Sequence, residues 1–148
     1  MYLRKNRVRC GKTHRTYYSI AHNVWWAREE NKRAQSRPVV IASFGSEEKV
    51  DPEIARELVV AVERAAPPIA GGRGKSREAT LRIASKVRRI EPFLKLLASR
   101  AFRLSETLPS GPERMAILEA LVRAKLAEPD APADQETILR SIQGTVFA

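Results

Sequence analysis

Tyr2-Leu3-Arg4-Lys5-Asn6-Arg7-Val8-Arg9, then Cys10-Gly11-Lys12-Thr13, then His14 through Trp26 is the stretch whose reading decides the fold. Gly11 lies in a short polar interval between two β-prone runs, which is how a hairpin is written in sequence. In the second run Tyr18, Ile20, Val24 and Trp26 recur at even spacing, so one face of the strand is apolar. A polar interval over residues 28–37 leads into Pro38-Val39-Val40-Ile41-Ala42-Ser43-Phe44-Gly45, a third run that is almost continuously apolar. Proline is tolerated at a strand's first residue or on an edge. Three antiparallel strands are the simplest arrangement of these runs.

Working outward, Asp51-Pro52-Glu53 is a helix start: Asp51 can cap, and Pro52 lacks an N–H that would go unsatisfied there anyway. Ile54, Leu58, Ala61, Val62 and Ala65 follow at helical spacing, and Glu53, Arg56, Glu57, Glu63 and Arg64 fall largely away from them. The helix over 51–66 is expected to cover the sheet, with Glu57 on its solvent side and replaceable at little cost. Pro67-Pro68 ends it. Residues 69–75 are Gly-rich and divide the chain into a sheet-and-helix unit at 1–68 and a helical region at 76–148. Ser76 can cap a helix with Ala79, Ile83, Val87 and Ile90 on its apolar stripe, and Pro92 restarts or kinks it. Phe93, Leu94, Leu96, Leu97, Phe102 and Leu104 should form the centre of the helical half. Met115, Leu118, Leu121, Val122 and Leu126 make a further amphipathic helix, and residues 135–142 a short last one closed by Gly144. The expected class is α+β, a small three-stranded antiparallel sheet with a covering helix followed by three or four helices.

The net charge of +10 is unevenly placed. Residues 1–37 hold ten Lys/Arg against Glu29 and Glu30, and residues 73–103 hold ten against Glu78 and Glu91. The remainder holds seven basic residues against thirteen acidic ones. Two basic blocks on an acidic background form a footprint for a polyanion, with DNA the expected partner and RNA the second. A solvated Arg-rich surface, an acidic protein partner and a membrane surface are the other readings of the charge, and a protein partner or homo-oligomer is the other open partner class. No apolar run approaches the ~20 residues of a membrane span, no signal-type apolar region follows the basic start, and the single cysteine, Cys10, suits a reducing compartment. The expectation is a soluble cytoplasmic protein without membrane association.

Lys5, Arg7 and Arg9 alternate on one face of the first strand, with Lys12 in the turn and Arg15 just beyond it. Alternate strand residues stand about 6.6–6.8 Å apart, comparable to phosphate spacing along a nucleic-acid strand. These five are expected to be the main phosphate contacts, with Arg37 in support and Arg82, Lys86 and Arg89, at i, i+4 and i+7 on a helix flank, secondary. Tyr17, Tyr18, Trp25 and Trp26 alternate across the second strand, so one aromatic edge either stacks bases or packs on a neighbouring loop.

Catalytic patterns fail on inspection. Gly11-Lys12-Thr13 and Gly74-Lys75-Ser76 resemble the end of a phosphate-binding loop, but Asn6 and Ile69 stand where its first glycine belongs. The second stretch could still hold a nucleic-acid phosphate with Arg73 and Lys75, or serve as a plain linker. His14 and His22 have no ligand cluster near them, so no metal or cofactor is expected. Cys10 lacks a designated base. Asp51, Asp130 and Asp134 are the only aspartates, and two-metal phosphoryl transfer needs several converging carboxylates. No enzyme is expected.

The order of features resembles the N-terminal region of DDE-type insertion-sequence transposases. The matching residues are Tyr2-Leu3-Arg4-Lys5, Gly11-Lys12-Thr13, Tyr17-Tyr18, the run from Arg37 to Gly45 with Phe44 in place of leucine, and the helix over 51–66. The resemblance covers roughly the first 66 residues and departs at Ala21-His22-Asn23, where the family is more acidic. It implies a DNA-binding module. The family's catalytic ribonuclease-H-like domain has no counterpart in this sequence, so the expected function is non-catalytic, as a stand-alone module or a truncated transposase. The alternative is a protein-interaction module, such as a small inhibitor or antitoxin-like factor, acting through the helical half.

Overall fold

The structure, a computed structural model, describes residues 1–26, 35–66, 75–132 and 134–146. Most of the polar interval after Trp26, Pro67-Pro68, the Gly-rich stretch through Gly74 and Phe147 fall outside the described residues. Three strands, β1 (Tyr2–Cys10), β2 (Thr13–Trp26) and β3 (Gln35–Ser46), form one antiparallel sheet in the order β1-β2-β3. Six helices follow: α1 (Pro52–Ala65), α2 (Lys75–Arg89), α3 (Glu91–Leu97), α4 (Leu104–Thr107), α5 (Pro112–Ala127) and α6 (Gln135–Val146). The α+β class follows directly, with α4 a single turn between longer helices.

The strands are staggered. β1 pairs with residues 13–21 of β2, whereas β3 pairs with residues 17–26. Only the middle of the sheet is three strands wide, and a two-stranded arm projects at each end. β3 carries two extra residues against β2, Ile41 and Phe44, at the places where the register shifts. Each such bulge lets an apolar side chain turn inward out of strict alternation, and Ile41 and Phe44 are both buried beside Ala42. This is why the run at 38–45 reads as continuously apolar instead of alternating.

Asp51 caps α1, its Oδ1 accepting from the Glu53 and Ile54 N–H groups at 3.0 and 3.4 Å while Oδ2 accepts from the Ser105 hydroxyl. α1 lies along β1, α2 along β2 and β3, α3 against β3, and α5 packs on α1. Ile20, Ile54, Leu58, Leu94, Leu97 and Leu118 are fully buried, each contributing about 1.5–3 kcal/mol. They belong to one continuous core whose residues come from both sides of the 69–75 stretch. Two backbone groups of β3 are met by side chains: Arg88 Nη2 donates to the Val40 carbonyl at 2.8 Å, and Glu91 Oε2 accepts from the Ser43 N–H at 3.0 Å. α6 runs through Gly144 to Val146 instead of closing there, because buried Ile138 and Ile142 hold its last turns to the core.

One expectation is corrected. Glu57 is not a solvent-side residue. Arg114, only 4% exposed, forks onto it with Nε–Oε2 at 2.7 Å and Nη2–Oε1 at 2.6 Å, and Nη2 also reaches Glu53 Oε1 at 2.6 Å. Hydrogen bonding to Glu57, opposed by burial and reinforced by Glu53, holds the guanidinium above its ordinary pKa. α5 lies over that side of α1, which helical spacing within α1 alone does not reveal.

Candidate nucleic-acid interface

The β1–β2 arm is built by local sequence. A two-residue turn, Gly11-Lys12, connects Cys10 to its partner Thr13, and Gly11 takes φ +64°, the first-position glycine of a type II′ hairpin. Thr13 Oγ1 donates to the Cys10 carbonyl, and Arg9 Nε to that of Gly11. Beyond the reach of β3, the pairs Arg7–Thr16, Val8–Arg15, Arg9–His14 and Cys10–Thr13 continue the ladder, with the Thr16 carbonyl still accepting from the Glu47 N–H at 2.8 Å. At ~3.4 Å per residue they extend about 14 Å. Every residue from Lys5 to Arg15 is exposed, and residues 6–16 include no carboxylate.

Directly paired residues of an antiparallel ladder share a face. Lys5, Arg7 and Arg9 therefore lie with Tyr18, Thr16 and His14 on the face that continues from Leu3 and Ile20. Arg15 lies on the other face with Val8 and Tyr17, and Lys12 occupies the tip. The five expected residues thus share one hairpin but not one face. Lys5 is also engaged: its Nζ is 2.8 Å from Glu47 Oε1 and 5.8 Å from the centre of the Tyr18 ring. The hydrogen bond between them raises Lys5 and lowers Glu47 relative to their ordinary pKa values. Arg7, Lys12 and Arg15 form no ion pair with any described residue. A bound polyanion therefore displaces only solvent and counterions from them.

Arg37 does not join the arm. It pairs with Val24 at the opposite end of β2, about 35 Å from the turn at strand rise. Arg82, Lys86 and Arg89 form a separate exposed line on α2, flanking the stripe of buried Ile83, Val87 and Ile90. Trp25, paired with Ser36, is about half exposed. Cys10 is an exposed free thiol on the arm.

Sequence reasoning missed a second feature. Where the arm meets the body, a groove of about 610 Å³ is lined by Arg15, Tyr17, Ser46, Lys49, Lys95 and Ser99, with Phe44 at its base and Glu48 its one carboxylate. Lys95 is held by Glu91 at 2.9 Å. Burial alone would raise Glu91, but the hydrogen bonds from Lys95 and the Ser43 N–H, with the charges of Lys95 and Arg88, bring it below its ordinary value. Lys49 and Lys95 come from segments far from the hairpin, so only the fold brings them to Arg15.

No family model, curated protein or solved structure matches this chain. Among the described residues, no three His, Cys, Asp or Glu side chains gather as a metal site requires, and no helix is long and apolar enough to cross a membrane.

Proposed function

We propose that this chain is a non-catalytic DNA-binding module, akin to the N-terminal region of DDE-type insertion-sequence transposases, that grips the sugar-phosphate backbone with its β1–β2 arm. The observation that carries the proposal is the arm itself, four pairs of ladder beyond the third strand bearing Arg7, Arg9, Lys12 and Arg15 and no carboxylate. A two-stranded ribbon has the width of element that a ~12 Å major groove admits. Cations on both of its faces and at its tip suit a groove whose two walls are both phosphate-lined. Lys5, neutralised by Glu47, contributes less, because a cation already paired releases fewer counterions on binding. The α2 line of Arg82, Lys86 and Arg89 offers a secondary contact for longer DNA, and Arg37 a remote one. Such a module works in the cytoplasm, with RNA as a weaker ligand.

The test is a fluorescence-anisotropy titration of labelled duplex at two salt concentrations. Binding that weakens steeply with salt is expected. No binding of DNA or RNA at low salt would end this reading and leave a protein-interaction role through the helical half.

A further inference from the structure

The groove at the base of the arm goes beyond a duplex grip. Tyr17 lies on the central strand, on the face opposite Tyr18, and its partners across the two ladders are Asn6 and Ser46. Both are short and polar, so the residues directly opposite the half-buried ring leave space beside it. Arg15 is two residues along the same face, about 6.8 Å away. The rest of the lining supplies Lys49, Lys95 and the hydroxyls of Ser46 and Ser99, with Glu48 the one carboxylate among them. Arg15 and Lys49 form no ion pair with any described residue, whereas Lys95 is fixed by Glu91. An aromatic ring sharing a groove with two uncommitted cations, in a recess within the ~300–1,000 Å³ range of small-ligand sites, matches the needs of one nucleotide: a π-surface for the base and positive charge for its flanking phosphates.

We infer that this groove receives an unstacked nucleotide of single-stranded nucleic acid, its base on Tyr17 and its phosphates on Arg15 and Lys49. The inference rests on the nucleic-acid reading of the arm and deepens it. A duplex offers only base edges in its grooves, so a stacking site selects single strands, frayed ends or junctions next to the duplex held by the arm.

The experiment compares a short labelled oligothymidylate with a duplex of the same length, by anisotropy, for the unmutated chain, Tyr17→Ala, Tyr17→Phe, Lys49→Ala and the triple variant Arg7→Ala/Arg9→Ala/Lys12→Ala. Tyr17→Ala should weaken oligothymidylate binding about 5- to 150-fold, the range expected for losing one base–aromatic stack, and leave duplex binding unchanged. Tyr17→Phe, which keeps the ring, should retain both. Lys49→Ala should reduce the single-strand salt slope by about 0.7 without touching the duplex slope. Thermal unfolding of each variant identifies any loss due to misfolding, and Tyr17→Phe and Lys49→Ala keep the test decisive if Tyr17→Ala is unstable. Duplex binding that falls with the triple variant, with single-strand binding indifferent to Tyr17 and Lys49, overturns the groove and leaves the arm standing. Binding of neither ligand overturns both.

Discussion

Replacing Glu57 with alanine should be among the more damaging single changes on α1, although its helical position reads as solvent-facing. The replacement leaves the 4%-exposed Arg114 guanidinium without its two-point partner. Breaking a fully buried ion pair from one side costs about 3–5 kcal/mol, because the remaining charge stays desolvated. Two features reduce that here. Glu57 itself keeps 22% of its side-chain exposure, so water can enter the space it vacates, and Glu53 still reaches Nη2 at 2.6 Å. The expected loss is therefore about 2–3 kcal/mol, or roughly 4–12 °C in Tm for a chain of this size. Glu53→Ala, at a carboxylate 62% exposed, should cost under ~1 kcal/mol. The double replacement Glu57→Met/Arg114→Met, which removes both charges and their desolvation, should cost less than Glu57→Ala alone. Urea and thermal unfolding followed by circular dichroism measure all three. A Glu57→Ala loss no larger than that of Glu53→Ala would refute the claim that the fork is buried and two-pointed.

Three other outcomes are expected. Leu58→Asp places an unpaired charge at a fully buried site and should cost more than ~4 kcal/mol; a small shift in Tm would mean α1 is not docked. Glu91 titrates below its ordinary 4.5 in the folded chain, so its contribution is present above pH 4.5 and drains away as pH falls through the folded value; Glu91→Gln should flatten acid denaturation below that pH, and an unchanged acid profile would contradict the Ser43 and Lys95 contacts. With Mg²⁺ or Mn²⁺ the protein should neither nick nor join supercoiled or transposon-end DNA; metal-dependent cleavage abolished by Asp or Glu substitutions would overturn the non-catalytic assignment.

What could be read along the chain was what local chemistry writes. The Gly11 turn, the alternation of Tyr18 and Ile20, the Asp51–Pro52 helix start and the Ile83/Val87/Ile90 stripe all became the elements their spacing implies. What could not be read was relational. The stagger that frees the arm depends on how far β3 reaches, which the two bulges at Ile41 and Phe44 adjust and no periodicity of β2 encodes. The groove needs Lys49 and Lys95 to meet Arg15 and Tyr17 through the packing of α3 on β3. Arg114 did leave a trace: it stands at i relative to Leu118 and Val122 at i+4 and i+8, a charge on an apolar stripe. Such a residue is buried only if a carboxylate faces it, and Glu57 lay one helix away in the fold but far off in sequence.

If the arm is the phosphate-gripping element, the log–log salt dependence of duplex affinity shows it most directly. Each phosphate contact adds about 0.9 to the slope on B-DNA. Arg7→Ala/Arg9→Ala/Lys12→Ala should flatten the slope by about 2–3, since these side chains stand in water and the fold survives their loss. Arg82→Ala/Lys86→Ala/Arg89→Ala should change it by less than half as much. An unaltered slope in the arm variant, with the loss appearing in the α2 variant instead, would contradict the account.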